Sequence, residues 1–96
     1  MDFRLLFTQT ALSDLAEIIG YIAQDDDEAA ERFGSALLDH VDLLRQFHHM
    51  GSVIRKRSRV RKLQHSPVLV YYRIHENKQL IEVLHFWHGA RKSPKF

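Results

Sequence analysis

Apolar positions in the first half of the chain recur with the spacing of an α-helix. They fall three or four residues apart over about residues 9–24 and again from Ala30 to His48. The two stripes contain Leu12, Leu15, Ala16, Ile19, Ile22 and Ala23, and then Ala30, Phe33, Leu37, Val41, Leu44 and His48. The acidic run Asp25–Glu28 between them favours a helix start, because carboxylates stabilise the positive N-terminal end of a helix. The pattern therefore predicts two amphipathic helices that form an antiparallel αα-hairpin.

Beyond Gly51 the apolar spacing changes to two, which is typical of β-strands. Two runs alternate in this way on either side of a turn at Glu76–Lys78, and together they predict a β-hairpin. One face is predicted to hold Val68, Val70, Tyr72 and Ile74 from the first run and Ile81, Val83, His85 and Trp87 from the second. Shorter strands are predicted at Phe3–Phe7 and Arg59–Leu63, and the latter needs a bulge if Val60 and Leu63 are to share a face.

These elements follow one another in the order β-α-α-β-β-β. They predict an α+β fold in which the N-terminal αα-hairpin packs on one face of a small, mainly antiparallel sheet. The 96 residues suit a single domain, 1–96. Because no apolar run is long enough to cross a bilayer and no signal peptide is visible, we expect a cytoplasmic protein with no membrane partner.

Charge is divided between the two halves of the sequence. Residues 1–49 carry ten acids and three bases, a net of −7, whereas residues 50–96 carry eleven bases and two acids, a net of +9. Six of the bases fall within eight consecutive positions, at Arg55, Lys56, Arg57, Arg59, Arg61 and Lys62. Such a density is costly in self-repulsion, so it indicates an anionic partner, either nucleic acid or an acidic protein. The alternative is a solvated edge strand whose charges discourage aggregation.

Several short motifs occur in a fixed order along the chain. The first is Phe7-Thr8-x-x-Ala11-x-x-Asp14-Leu15-x-x-Ile18-x-x-Tyr21-Ile22-Ala23, and Ala29-Ala30 follows at the start of the second helix. Later come Val70-Tyr71-Tyr72-Arg73-Ile74 and Ile81-Glu82-Val83-Leu84-x-x-x-His88-Gly89-Ala90-Arg91. Over about residues 3–91 this series resembles the RelE/ParE superfamily of bacterial toxins, the toxic halves of type II toxin–antitoxin pairs.

The resemblance implies a toxin that a cognate antitoxin neutralises, with a toxin–antitoxin hetero-oligomer as its assembly. The family divides in mechanism, since RelE-like members cut messenger RNA on the ribosome whereas ParE-like members poison DNA gyrase. The first-helix motif and the long hairpin look more like the ParE or plasmid-stabilisation branch. We therefore expect gyrase inhibition. The alternatives are ribosome-dependent mRNA cleavage, which would make the chain an enzyme, and a nontoxic binding module of the same fold.

If the chain is a nuclease, its catalytic residues are expected to be His88, Arg91, Arg59 and Arg61. Metal-independent RNA cleavage must move protons to and from ribose and leaving-group oxygens, which suits histidine because its pKa lies near neutrality. It must also stabilise a charged phosphorane, which suits the paired donors of arginine. The alternative is that His88 simply ends a strand and Arg91 makes a surface contact.

The target or antitoxin is expected to contact a mixed basic and apolar surface. The residues predicted for it are Arg55, Lys56, Arg57, Lys62, Tyr71, Leu69, Leu84 and Phe86. The apolar members are predicted on the sheet face away from the helices, where an uncovered patch would mark an interaction site. No cofactor is expected, and no metal site either, because the histidines lack a ligand spacing with a supporting carboxylate or cysteine.

Overall fold

The computed structural model describes residues 2–91 and 94, which fold into two helices on a five-stranded sheet. Short 3₁₀ turns at Leu43–Arg45 and Glu76–Lys78 follow α2 and β4. Across the described residues, no helix combines the length and apolar character needed to cross a membrane. The elements are β1 Arg4–Phe7, α1 Gln9–Ala23, α2 Asp27–Asp42, β2 Ser52–Arg55, β3 Val60–His65, β4 Val68–His75 and β5 Leu80–His88.

The αα-hairpin forms as predicted, and side chains fix the start of each helix. The Thr8 hydroxyl accepts a hydrogen bond from the Ala11 amide, and the Asp26 carboxylate accepts one from the Ala29 amide. These bonds satisfy amides that have no partner inside the helix. The buried stripe of α2 is as predicted as far as Val41, but the helix ends at Asp42, before Leu44 and His48 of the predicted stripe. The buried stripe of α1 is rotated from the predicted one. Ala11 is fully buried, while Leu12 of the predicted stripe is 47% exposed.

The strand order across the sheet is β1-β5-β4-β3-β2. β1 runs parallel to β5, and every other neighbouring pair is antiparallel. The α+β architecture is therefore as predicted, with one strand more, since β2 was not expected. Its four residues, Ser52–Arg55, are all exposed. Because neither face of β2 is buried, the strand carries no hydrophobic alternation that a sequence pattern could reveal.

A bulge in β5 places the side chains of its second half on the opposite sheet face from the one predicted. Tyr71 lies opposite His85, but Tyr72 lies opposite Val83, so Leu84 is an extra residue in β5. One extra residue moves all later side chains to the other face. Phe86 therefore joins Ile81 and Val83 in the core against the helices, whereas His85 and Trp87 leave that face. The prediction that placed His85 and Trp87 with the core, and Phe86 opposite it, was wrong.

The β3–β4 pairing contains no bulge, which Val60 and Leu63 would have needed in order to share a face. Val60 to His65 pair residue by residue with Arg73 to Val68, so Val60 and Leu63 point to opposite faces. Leu63 belongs to the core beneath the helices, and Val60 is fully buried on the other face. Both faces of β3 therefore bury an apolar residue near the middle of the sheet, and no bulge is needed.

Candidate functional site

The basic hairpin, which we define as β2, β3 and the turn at residues 56–59, carries the cationic run. Arg55, Lys56 and Arg57 at its tip are exposed, as is Arg59. Arg59 has a φ of 58°, a left-handed conformation that costs roughly 1–2 kcal/mol for a residue with a Cβ atom. The tip therefore presents a group of solvated cations at the free edge of the sheet.

Arg61 belongs to the same run but is occupied within the protein. Its guanidinium donates to the backbone carbonyls of His49 at 3.1 Å and Gly51 at 2.6 Å. Tyr72, its neighbour across the strands, donates its hydroxyl to the His48 carbonyl at 2.8 Å and accepts from the Gly51 amide at 2.9 Å. These bonds tie residues 48–51 to the sheet, so Arg61 supports the fold.

Burial raises the pKa of Tyr72 above its ordinary value of 10.0, and the bond from Gly51 and the charge of Arg61 oppose this shift. The phenol therefore stays protonated at neutral pH and keeps its bond to the His48 carbonyl. Gly51 lies so close to this ring that an added Cβ atom would stand 2.8 Å from the Tyr72 hydroxyl and 2.7 Å from the Lys62 carbonyl oxygen. Only glycine fits at this approach.

Arg73 anchors the turn of the basic hairpin from β4. Its Nε atom donates to the Ser58 carbonyl at 2.6 Å, and its Nη1 atom lies 3.7 Å from the Glu82 carboxylate on β5. Both groups are partly buried. Arg73 therefore fixes the backbone of the turn, while the exposed cations of the turn remain available to a partner.

A second candidate surface lies at the opposite end of the sheet, where α1 and α2 diverge from β4 and β5. It is a groove of about 340 Å³, which we call the helix–sheet groove. Its apolar floor includes Ile18, Phe33 and Phe86, and Tyr21 on its rim is 74% exposed. The full lining is Asp14, Glu17, Ile18, Tyr21, Ile22, Phe33, Pro67, Val68, Phe86, His88 and Arg91.

His88 and Arg91 meet at the rim of the helix–sheet groove. The Nδ1 atom of His88 accepts from the Ala90 amide at 3.2 Å, so the neutral ring carries its proton on Nε2. The Arg91 guanidinium lies 5.8 Å from the centre of the Trp87 ring, within the range of a cation–π contact. In this geometry the neutral His88 ring offers a hydrogen-bond donor at Nε2.

The four residues predicted for catalysis are not brought together. His88 lies opposite Val68, which in turn lies opposite His65 at the end of β3. Arg61 is four residues back along β3 and two strands across, which places its Cα atom roughly 16 Å from that of His88. Arg59 is farther still. The sheet therefore separates Arg59 and Arg61 from His88 and Arg91.

The predicted apolar contact set is also divided. Phe86 is 2% exposed on the helix side, where it stacks 6.1 Å from Phe7. Tyr71 is on the other face but is only 2% exposed, with Lys62 and His85 as its neighbours across the strands. Leu69 and Leu84 are partly buried. Placing Tyr71 and Phe86 in an open contact surface was therefore wrong, since the fold already buries both rings.

Two of the exposed apolar residues that the sequence did not indicate are on β2. Val53 is 48% exposed and Ile54 is 37% exposed, and β2 is the outermost strand of the sheet. They lie directly before Arg55 at the tip of the basic hairpin. An open strand edge with apolar and cationic side chains can pair with a segment of another chain.

Two helices on a sheet of this order are also found in solved toxin–antitoxin structures. The chromosomal ParDE system of Pseudomonas aeruginosa contains a chain that matches with a TM-score of 0.73 and 22% identity, over 90% of this chain and 95% of that one. The toxin–antitoxin complex RelBE2 of Mycobacterium tuberculosis matches with a TM-score of 0.68 and 20% identity, over 92% and 99% of the two chains. At these identities the likeness establishes the RelE/ParE-like fold.

The family follows from sequence. The family model described as the ParE toxin of the type II toxin-antitoxin system, parDE, matches residues 5–93. The toxin candidate Y4kP of Sinorhizobium fredii is 34% identical over 83 residues, which are 85% of this chain and 86% of that protein. The chain therefore belongs to the ParE toxin family of type II toxin–antitoxin systems, and the resemblance noted from its motifs is confirmed.

Proposed function

We propose that this protein inhibits DNA gyrase and that a cognate antitoxin holds it inactive in a toxin–antitoxin hetero-oligomer. The observation that carries the choice of target is the separation of the four basic residues considered for RNA cleavage. His88 and Arg91 stand at the helix–sheet groove, and Arg59 and Arg61 stand at the basic hairpin, with roughly 16 Å or more between the two pairs. Groups so far apart do not act on one phosphodiester.

His88 and Arg91 alone are a poor catalytic set for RNA cleavage. RNA cleavage needs a base for the ribose hydroxyl and a donor for the leaving oxygen. His88 and Arg91 supply a donor and a cation, but the His88 Nδ1 lone pair is engaged by Ala90. Ribosome-dependent cleavage thus requires the missing groups to come from the target, and it stands as the second candidate because both residues line the helix–sheet groove.

The proposed antitoxin contact is the tip of the basic hairpin together with the edge of β2. An acidic, partly apolar segment would meet Arg55, Lys56 and Arg57 through charge, and Val53 and Ile54 through apolar contact. Main-chain hydrogen bonds to the open edge would add affinity. The same exposed cations would also suit the phosphate backbone of a nucleic acid. Binding measured with purified antitoxin and with nucleic acid over a range of salt concentrations distinguishes the two partners.

Induction in bacteria without the antitoxin tests the target. Gyrase inhibition is expected to give filamentous cells and a DNA-damage response while translation at first continues. His88→Ala is expected to keep this toxicity, because gyrase inhibition does not depend on proton transfer by His88 during RNA cleavage. Rapid translation arrest with cleaved messages, relieved by His88→Ala, would establish the nuclease instead. Normal growth with abundant soluble protein would indicate a nontoxic binding module.

A further inference from the structure

Three potential metal ligands meet at a point that the sequence does not indicate. His48 and His49 follow α2 and its 3₁₀ turn, and Glu76 lies 27 positions farther on, in the turn between β4 and β5. One ligand atom from each residue lies within 4.8 Å of the other two. We propose that His48, His49 and Glu76 bind a divalent transition-metal ion, of which Zn²⁺ is the best match.

The ligand types suit this ion. Zn²⁺ binds imidazole nitrogen and carboxylate oxygen at about 2.0–2.2 Å, and two histidines with one glutamate are an established set that leaves a fourth position open. The Nε2 atom of His49 already lies 3.4 Å from the Glu76 carboxylate, near the separation that two ligands of one tetrahedral ion have. The Nδ1 atom of His48 is buried and has no hydrogen-bond partner among the described residues, so this ring has unused coordinating capacity.

The backbone of both ligand segments is fixed before any ion binds. The His48 and His49 carbonyls accept from Tyr72 and Arg61, respectively. The start of β1 joins the two segments, since the Phe3 amide donates to the Arg45 carbonyl and the Arg4 amide donates to the Gln79 carbonyl, both at 2.9 Å. The ion therefore does not have to order the backbone of either ligand segment in order to bind.

The side chains combine one held ring with two adjustable ligands. The His48 ring stacks on Phe3 with 4.1 Å between ring centres. The His49 and Glu76 side chains are 57% and 51% exposed, so they can rotate to close the remaining distance around an ion. Binding would connect the end of the helical layer to the β4–β5 turn and stabilise the folded chain by an amount that grows with the logarithm of the ion concentration above the Kd.

The test is calorimetric titration of ZnCl₂ into the purified, full-length chain without a histidine tag, together with a thermal unfolding scan. One ion per chain and a rise in Tm with Zn²⁺ are expected. Both Glu76→Gln and His49→Ala remove a direct ligand from an exposed position, so each is expected to raise the Kd at least about tenfold. Co²⁺ in place of Zn²⁺ is expected to give the visible absorption of a tetrahedral nitrogen–oxygen site.

Two matched variants act as controls. Glu31→Gln removes the same charge from an exposed position on α2, and His88→Ala removes an exposed histidine at the far end of the sheet. Both are expected to leave the Kd unchanged. The proposal is overturned if Zn²⁺ does not saturate the chain at millimolar concentration, or if the controls weaken binding as much as Glu76→Gln and His49→Ala do.

Discussion

At the base of the basic hairpin the Arg61 guanidinium donates to two backbone carbonyls, whereas at the tip Arg55, Lys56 and Arg57 are open to solvent. The two regions come from one cationic run of the sequence. The base is shaped by the close approach of Gly51 to Tyr72, whereas at the tip Arg73 anchors the backbone at Ser58 and the cationic side chains stay exposed. A dense run of cations is therefore divided by the fold into a residue that holds the structure and residues that remain available to a partner.

The largest expected effect is at the base, for Gly51→Ala. The new methyl group would stand 2.7–2.8 Å from the Lys62 carbonyl oxygen and the Tyr72 ring. Relieving this overlap displaces buried backbone and breaks the bonds that Gly51 and Tyr72 share, at a cost of about 3 kcal/mol in the free energy of unfolding. Urea unfolding of the purified variant measures this loss. A loss below about 1 kcal/mol would show that the base is not tightly packed.

Arg61 and Arg57 give the direct comparison of base and tip. Arg61→Ala leaves the His49 and Gly51 carbonyls without their charged donor, and we expect a loss of about 1.5–3 kcal/mol in urea unfolding. Arg57→Ala removes an exposed cation and is expected to change stability by no more than about 0.5 kcal/mol. Equal effects of the two substitutions would remove the distinction between base and tip.

The tip is expected to matter for binding. Replacing Arg55, Lys56 and Arg57 together by alanine is expected to weaken antitoxin binding about tenfold at low salt, because each exposed ion pair contributes roughly 0.2–1 kcal/mol. The difference from the unmodified chain is expected to shrink as salt screens the charges. Titration calorimetry at two salt concentrations measures both effects. Unchanged affinity of the triple variant would place the antitoxin elsewhere, such as at the helix–sheet groove.

Gly20 is the counterpart of Gly51 in an open position. It lies within α1, and an added Cβ atom would have no heavy atom within 4 Å outside its local surroundings. Gly20→Ala is expected to raise the free energy of unfolding by about 0.5–1 kcal/mol, since alanine restricts the unfolded chain and favours the helix. A destabilised variant in the same urea experiment would contradict this account of the glycines.

The smallest expected effect is a pH dependence where α2 meets β3. The Nδ1 atoms of His40 and His65 lie 2.9 Å apart, so one ring donates and the other accepts. Burial, with a smaller contribution from the neighbouring His40, lowers the pKa of His65 below its ordinary value of 6.5. The unfolded chain therefore takes up this proton more readily, and the stabilisation is complete above about pH 6.5 and declines as the pH falls below it.

The His65→Gln variant checks this effect. Urea unfolding at several pH values is expected to show a smaller loss of stability below pH 6.5 for His65→Gln than for the unmodified chain. The other histidines are common to both proteins, so the difference between the two curves reports on this pair. Parallel curves would show that the His40–His65 contact makes no contribution.

Periodicity predicted the parts of the fold in which one face is buried over several turns or strand positions. The stripe of α2 and the alternation of Val68, Val70, Tyr72 and Ile74 both belong to the core. The facing of β5 after Leu84 could not be predicted, because a bulge shifts the alternation by one residue without requiring a special residue type. β2 was missed because all four of its residues are exposed.

The candidate site was predictable in its residue types but not in its grouping. The cationic run was visible, yet nothing in the sequence distinguished Arg61 from Arg57, since the difference lies in the carbonyls of residues 49 and 51. Likewise, Glu76 comes near His49 because β1 hydrogen-bonds to Arg45 and Gln79, each of which lies within four residues of one of them in the sequence. Contacts between distant segments depend on topology, which local patterns do not contain.

The most direct test of the central claim, that this toxin acts on gyrase without an assembled RNA-cleavage site, is a supercoiling assay with purified gyrase, relaxed plasmid and the purified chain. We predict that the chain and its His88→Ala variant inhibit supercoiling at similar concentrations and that added antitoxin reverses the inhibition. Undisturbed supercoiling, together with His88-dependent cleavage of messenger RNA on ribosomes, would contradict the account.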